Sequence, residues 1–207
     1  MKRMNNEAVS PVVGVMLMLV VTIIIAAVVS GFAGGLAGDA KAAPSASIDV
    51  KIDTAAGDGM GGVTSKMTFE MLSGDSIPTK DLEIITYFTN STGYVYKTSH
   101  TASSDLFSPY GGSDLTKLPF LNDMAVTGGS TNAAAHFGNF TWSTGDIMTC
   151  GNRRMVGEFL GLDWTAGVYP APDTIDEAAF KPGAVVDVKI LHVPSGKYVY
   201  DKEVIVL

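Results

Sequence analysis

Ser76, in Gly74-Asp75-Ser76, and His136, in Ala134-Ala135-His136, are the residue types of a nucleophile and its general base. In such a pair the imidazole takes the serine proton, and backbone N–H groups beside the nucleophile hold the developing oxyanion. No pair of glycines follows Ser76, because Ile77-Pro78 stands there. The two fragments therefore read as structure: a turn over Ser73–Asp75 and a histidine at a strand edge. His100, His136 and His192 are far apart, and none has a second ligand residue at metal spacing. Asp53, Asp58, Asp173, Asp176 and Glu177 are oxygen donors, but a calcium ion takes six or more oxygens. The run Asp173-Thr174-Ile175-Asp176-Glu177 lacks the calcium-loop pattern and reads as an acidic loop or a helix start. Cys150 is the single cysteine, so no internal disulfide can form, and it reads as a small buried apolar residue. A phosphate-cradling Gly-Lys-Ser/Thr loop is missing as well. The sequence thus holds no catalytic constellation, metal set or cofactor motif, and the chain is not read as an enzyme.

Two kinds of covalent processing remain. Asn90-Ser91-Thr92 and Asn139-Phe140-Thr141 are acceptor sequons for an N-glycan, provided Asn90 or Asn139 reaches an exposed turn outside the cell. At the N-terminus, Glu7-Ala8-Val9-Ser10-Pro11 places a charged and then a small residue immediately before an apolar run. A peptidase acting on the cytoplasmic side would cut there and leave the apolar run on the mature protein. Ser10 and Pro11 then open a helix. Serine accepts backbone N–H bonds as an N-cap, and proline tolerates the first helical position because the N–H it lacks had no partner there.

That apolar run is the element that must position everything else. Residues 8–38 contain no Asp, Glu, Lys or Arg, and twelve of the eighteen residues Val12–Val29 are Leu, Ile or Val. Some 20 such residues cross a bilayer core as a helix, and on an insertion scale these twelve favour the membrane by about 4–7 kcal/mol. Lys2 and Arg3 precede the run and are retained in the cytoplasm, so the C-terminal part lies outside. A cleaved secretory signal, ending at Ala40-Lys41-Ala42, would have an apolar region of only 7–15 residues. An uncleaved anchor is consistent with the hydropathy. Gly31, Gly34, Gly35 and Gly38 form two overlapping Gly-x-x-x-Gly pairs. These either let helix backbones approach closely or make a hinge between helix and head.

From residue 48 the texture is short alternating runs separated by turn residues. Strands are expected at Ser47–Asp53, Val63–Met71, Leu82–Thr89, Tyr94–Lys97, Phe137–Trp142, Met155–Leu160, Ala184–Val193 and Lys197–Leu207. Pro194-Ser195-Gly196 joins the last two as a hairpin, and Ser99–Asn132 reads as long loops. No second helix pattern stands out. The fold class expected is α+β: a long N-terminal hydrophobic α-helix, then an antiparallel β-sandwich-like head. The formal net charge is −7, and with +1 in the head (Lys2, Arg3, Glu7) residues 8–207 carry −8, so an acidic exterior domain has no electrostatic attraction to nucleic acid.

Ser10-Pro11-Val12-Val13-Gly14, followed by VMLMLVVTIIIAAVVSGFAG, resembles the N-terminus of archaeal type IV pilins, whose signature is similar to SPVIG before an aliphatic helix. The resemblance implies a class III signal peptide, residues 1–8, cut by a prepilin peptidase at Ala8–Val9, with Glu7–Ala8 as the alternative bond. It implies a pilin helix over 9–38, a linker over 39–47 and an extracellular head over 48–207. Bacterial relatives carry Glu at the fifth mature position, where this chain has Val13. The implied partners are further copies of the chain in a helical homopolymer, the peptidase, a membrane platform protein and an assembly ATPase. The implied location is the cell membrane as precursor and then a surface filament for adhesion. A membrane-anchored binding protein that never polymerises, or an archaellin-like motility subunit, would share the helix and head.

Overall fold

The computed structural model describes residues 11–38, 42–57, 61–90, 93–108, 113–162 and 180–207. The chain forms two compact units, Met1–Lys41 and Ala42–Leu207.

The first unit holds one helix, α1 (Pro11–Gly38), of 28 residues. At 1.5 Å per residue it is about 42 Å long. Valine and isoleucine are only moderate helix formers in water. In an apolar medium the balance changes, because a helix satisfies its backbone groups internally. The 21 residues Val12–Phe32 contain an 18-residue window of mean hydropathy 3.2, enough in length and composition to cross a membrane. The one hydroxyl in the middle is also satisfied: Thr22 Oγ1 donates to the Leu19 carbonyl at 2.9 Å.

The second unit is a two-layer sandwich. One sheet has the order β1 (Ala46–Gly57), β2 (Val63–Gly74), β8 (Ile147–Cys150), β6 (Phe120–Leu121). The other has the order β10 (Lys197–Ile205), β9 (Val185–His192), β4 (Leu82–Thr89), β5 (Val95–His100). A small ribbon pairs β3 (Ile77–Pro78) with β7 (Thr141–Trp142). Every ladder is antiparallel, and a parallel bridge between Ile52 and Val206 ties β1 to the end of β10. Alternation dictates which face is buried. Ile48, Val50 and Ile52 of β1 and Met67, Phe69 and Met71 of β2 face Ile84 and Phe88 of β4 and Val186, Val188 and Ile190 of β9 across one core. Burying each such side chain is worth about 1.5–3 kcal/mol, which holds the head together without a disulfide. The hairpin expected at Pro194–Gly196 is present: a 3-10 turn over Val193–Ser195 closes on Gly196 at φ 64°.

Met155–Leu160 is not a strand. It belongs to α3 (Arg153–Leu160), capped by the Asn152 side chain, which accepts from the Met155 N–H at 2.8 Å, and closed by Gly161 at φ 68°. Met155, Val156, Phe159 and Leu160 fall on one helical face and are buried, while Glu158 points outward. Six residues are too few to separate this period from alternation. A second short helix, α2, spans Met124–Thr127. Of Phe137–Trp142 only Thr141–Trp142 is strand, and a 3-10 turn over Ala133–Ala135 precedes it. Conversely, Ile147–Cys150 is strand β8, between β2 and β6, although its apolar run shows no alternation. Ser99–Asn132 is largely irregular among its described residues, as expected.

Candidate functional site

The chemistry-bearing residues are dispersed. Ser76 Oγ pairs with Ser143 Oγ at 2.9 Å, and among the described residues nothing joins it to His136. His136 is not at a strand edge but follows the Ala133–Ala135 turn and is buried. Burial lowers its pKa, and the Lys117 ammonium acts in the same direction. His100 lies flat on the Phe159 ring, centroids 4.2 Å apart, and donates from Nε2 to the Phe159 carbonyl at 2.8 Å. Its pKa is also lowered by burial. His192 Nδ1 meets Ser195 Oγ at 2.8 Å and so holds the β9–β10 hairpin. Asp53 Oδ1 accepts from the Ala55 N–H, a local turn. Asp58, Asp173, Asp176 and Glu177 lie outside the described residues. No group of three His, Cys, Asp or Glu that could hold a metal occurs among the described residues. Cys150 is fully buried in β8, and burial pushes its thiol well above the ordinary value, so it is inert.

Asn90 and the turn that holds Asn139 lie by opposite ends of β4. Asn90 directly follows β4 in the connection to β5, with its Oδ1 accepting from the Tyr94 N–H at 2.9 Å. Ser91 and Thr92 lie outside the described residues. Asn139 is exposed in the turn before β7, and its Nδ2 donates to the Ala133 carbonyl at 2.7 Å. That turn packs by Thr79, at the β4 end nearest the chain's entry into the head.

The feature with an unmet physical demand is α1. Ala8, Val9 and Ser10 lie outside the described residues, and Pro11 is the first helical residue. Val12 is 61% exposed, Leu17 67%, Ile24 55% and Phe32 70%, so the apolar surface runs all round the rod. Such a helix needs an apolar surrounding. Gly31, Gly34, Gly35 and Gly38 all lie inside it. A Cβ at Gly31 would meet nothing within 4 Å, so crowding inside the chain does not require glycine there.

On the head, sequence reading missed two contacts. Lys189 sits between Asp201, at 2.6 Å, and Asp187, at 3.4 Å, on the outer face of the β9 sheet. The bond to Asp201 is the main cause that raises its pKa. Asp75 is bonded to Ser45, thirty residues earlier. Alternation could have found the first, since Asp187 and Lys189 share a face. No local signal marks the second.

Residues 7–48 match the family described as archaeal type IV pilin, N-terminal. No curated protein and no solved structure matches the chain. The match covers the segment from the charged residue before the apolar run to the start of β1, so the similarity is confined to the N-terminal segment ahead of the β-rich head.

Proposed function

We propose that this chain, with its archaeal type IV pilin N-terminus, is a structural subunit that polymerises through α1 into a surface filament used for adhesion. The observation that carries the reading is an apolar helix that begins at Pro11 and is exposed all round its axis. One surface then serves two states. In the precursor it is dissolved in lipid, with Lys2 and Arg3 in the cytoplasm; in the filament it packs against sister helices. Growth of that kind needs a heterologous, non-closing contact. The domain plan follows: residues 1–8 are removed, 9–38 form the filament core, 39–47 link, and 48–207 form the head outside the cell. A prepilin peptidase, a platform protein and an assembly ATPase are the partners this route requires. Glycans at Asn90 or Asn139 would shield the head.

Electron microscopy of sheared surface fibres, probed with an antibody to the head, tests polymerisation. N-terminal sequencing of the mature protein tests processing. A start at Val9 supports the proposal; a start at Met1 indicates a static anchor, and a start near Ala43 simple secretion. Ala8→Trp should leave a membrane-bound precursor and no fibres. Normal fibres from that variant would sink the assigned cleavage bond.

A further inference from the structure

We infer that Ser45, Gly74 and Asp75 form the anchorage at which the connecting chain is made fast to the head, and that Asp75 is a positioning residue that sets the tether's length. The Asp75 N–H donates to the Ser45 carbonyl at 2.8 Å, and the Ser45 N–H donates back to Asp75 Oδ2 at 2.9 Å. Gly74 lies between, at φ 122°, where a Cβ would fall 2.2 Å from the Ser45 oxygen and 2.6 Å from the Ala46 Cα. Only glycine lets the entering backbone pass this close.

The position explains why a clamp is needed. The β1–β2 register shifts between Ser47 and Ile48, leaving Leu72 without a partner in the ladder. A strand end beyond a bulge is weakly held. Without the clamp the entering chain peels back to Ile48, the first residue of the regular ladder. Six residues, 39–44, separate Gly38 from Ser45, and the seven steps between them reach at most about 23–25 Å. Peeling to Ile48 makes the connection nine residues, 39–47, and raises that limit to about 33–36 Å. In a filament the clamp would hold each head to the shorter range. This consequence rests on the pilin reading; the anchorage itself does not.

Lys41 supplies the assay, because trypsin cutting at Lys41–Ala42 must draw residues 42–45 into its cleft. When opening is fast, cleavage follows the population of the released form. In the full chain in detergent micelles, Asp75→Ala should speed appearance of fragment 42–207 about three- to tenfold, as expected for losing one exposed hydrogen bond. Gly74→Ala should do the same by displacing Ser45. Asp75→Asn keeps an acceptor for the Ser45 N–H and should cut near the parent rate. Cleavage after Lys66 in β2, and the melting temperature, should stay near the parent values for Asp75→Ala. A parent-like rate in Asp75→Ala, no recovery in Asp75→Asn, or equal acceleration at Lys66 would overturn the anchorage. If these rates behave as expected but wild-type cells shear no fibres, the pilin reading fails and the anchorage stands.

Discussion

His100 shows how a residue with catalytic potential is absorbed into structure. Its ring is stacked on Phe159 and its Nε2–H is bonded to that residue's carbonyl, so the neutral form is held in the fold. The free value is about 6.5. The folded value is lower, so between the two the unfolded chain binds more protons, and stability falls as pH drops below about 6.5. His136 adds the same sign. Glu158, exposed but with its carboxyl raised by partial desolvation, has the opposite sign: its contribution appears as pH falls through the raised folded value and is complete below its ordinary 4.5. The melting temperature should therefore be lower at pH 5.5 than at pH 7.5. His100→Gln, which keeps a donor for the Phe159 carbonyl, should flatten that slope in thermal melts at the two pH values. Ser76 is equally tied down, by Ser143, and its hydroxyl is no nucleophile poised beside a base.

At the scale of elements, α1 and α3 are helices for opposite reasons. α1 has no polar face and depends on what surrounds it. Ile24→Asp places a lone carboxylate in lipid or in a packed helical core, where it costs several kcal/mol. Fibre growth should stop, and electron microscopy of the sheared fraction should be empty; unchanged fibres would mean that α1 is not the filament core. α3 is short and amphipathic, and it depends on its cap and on the core beneath it. Asn152→Ala removes the acceptor for the Met155 N–H and should cost about 1 kcal/mol, or about 2–4 °C in melting temperature for a domain of this size. The same change in a surface loop would be nearly silent. The strands β4 and β9 were legible because seven or eight alternating residues repeat one pattern. α3 and β8 were not: the large buried side chains of α3 come as the pairs Met155-Val156 and Phe159-Leu160, a single helical repeat, and the four residues of β8 show no alternation.

At the scale of the molecule, the head owns a complete core and the helix owns none. Residues 42–207 alone should fold and remain monomeric, while the full mature chain should need lipid, detergent or copies of itself. Light scattering coupled to size exclusion checks this, and a head that forms fibres by itself would move the polymer contact off α1. The apolar helix from Pro11 and the alternating strands β4 and β9 were readable from the chain alone. Each is a local property: hydropathy and alternation need no distant partner. Tertiary structure decided the rest. It put β8 between β2 and β6, folded Met155–Leu160 onto the core as a helix, tied Ile52 to Val206, and brought Ser45 against Asp75. Those contacts join residues far apart in the chain. Their energy arises only when two segments bury surface or exchange hydrogen bonds, and no window of sequence contains both partners.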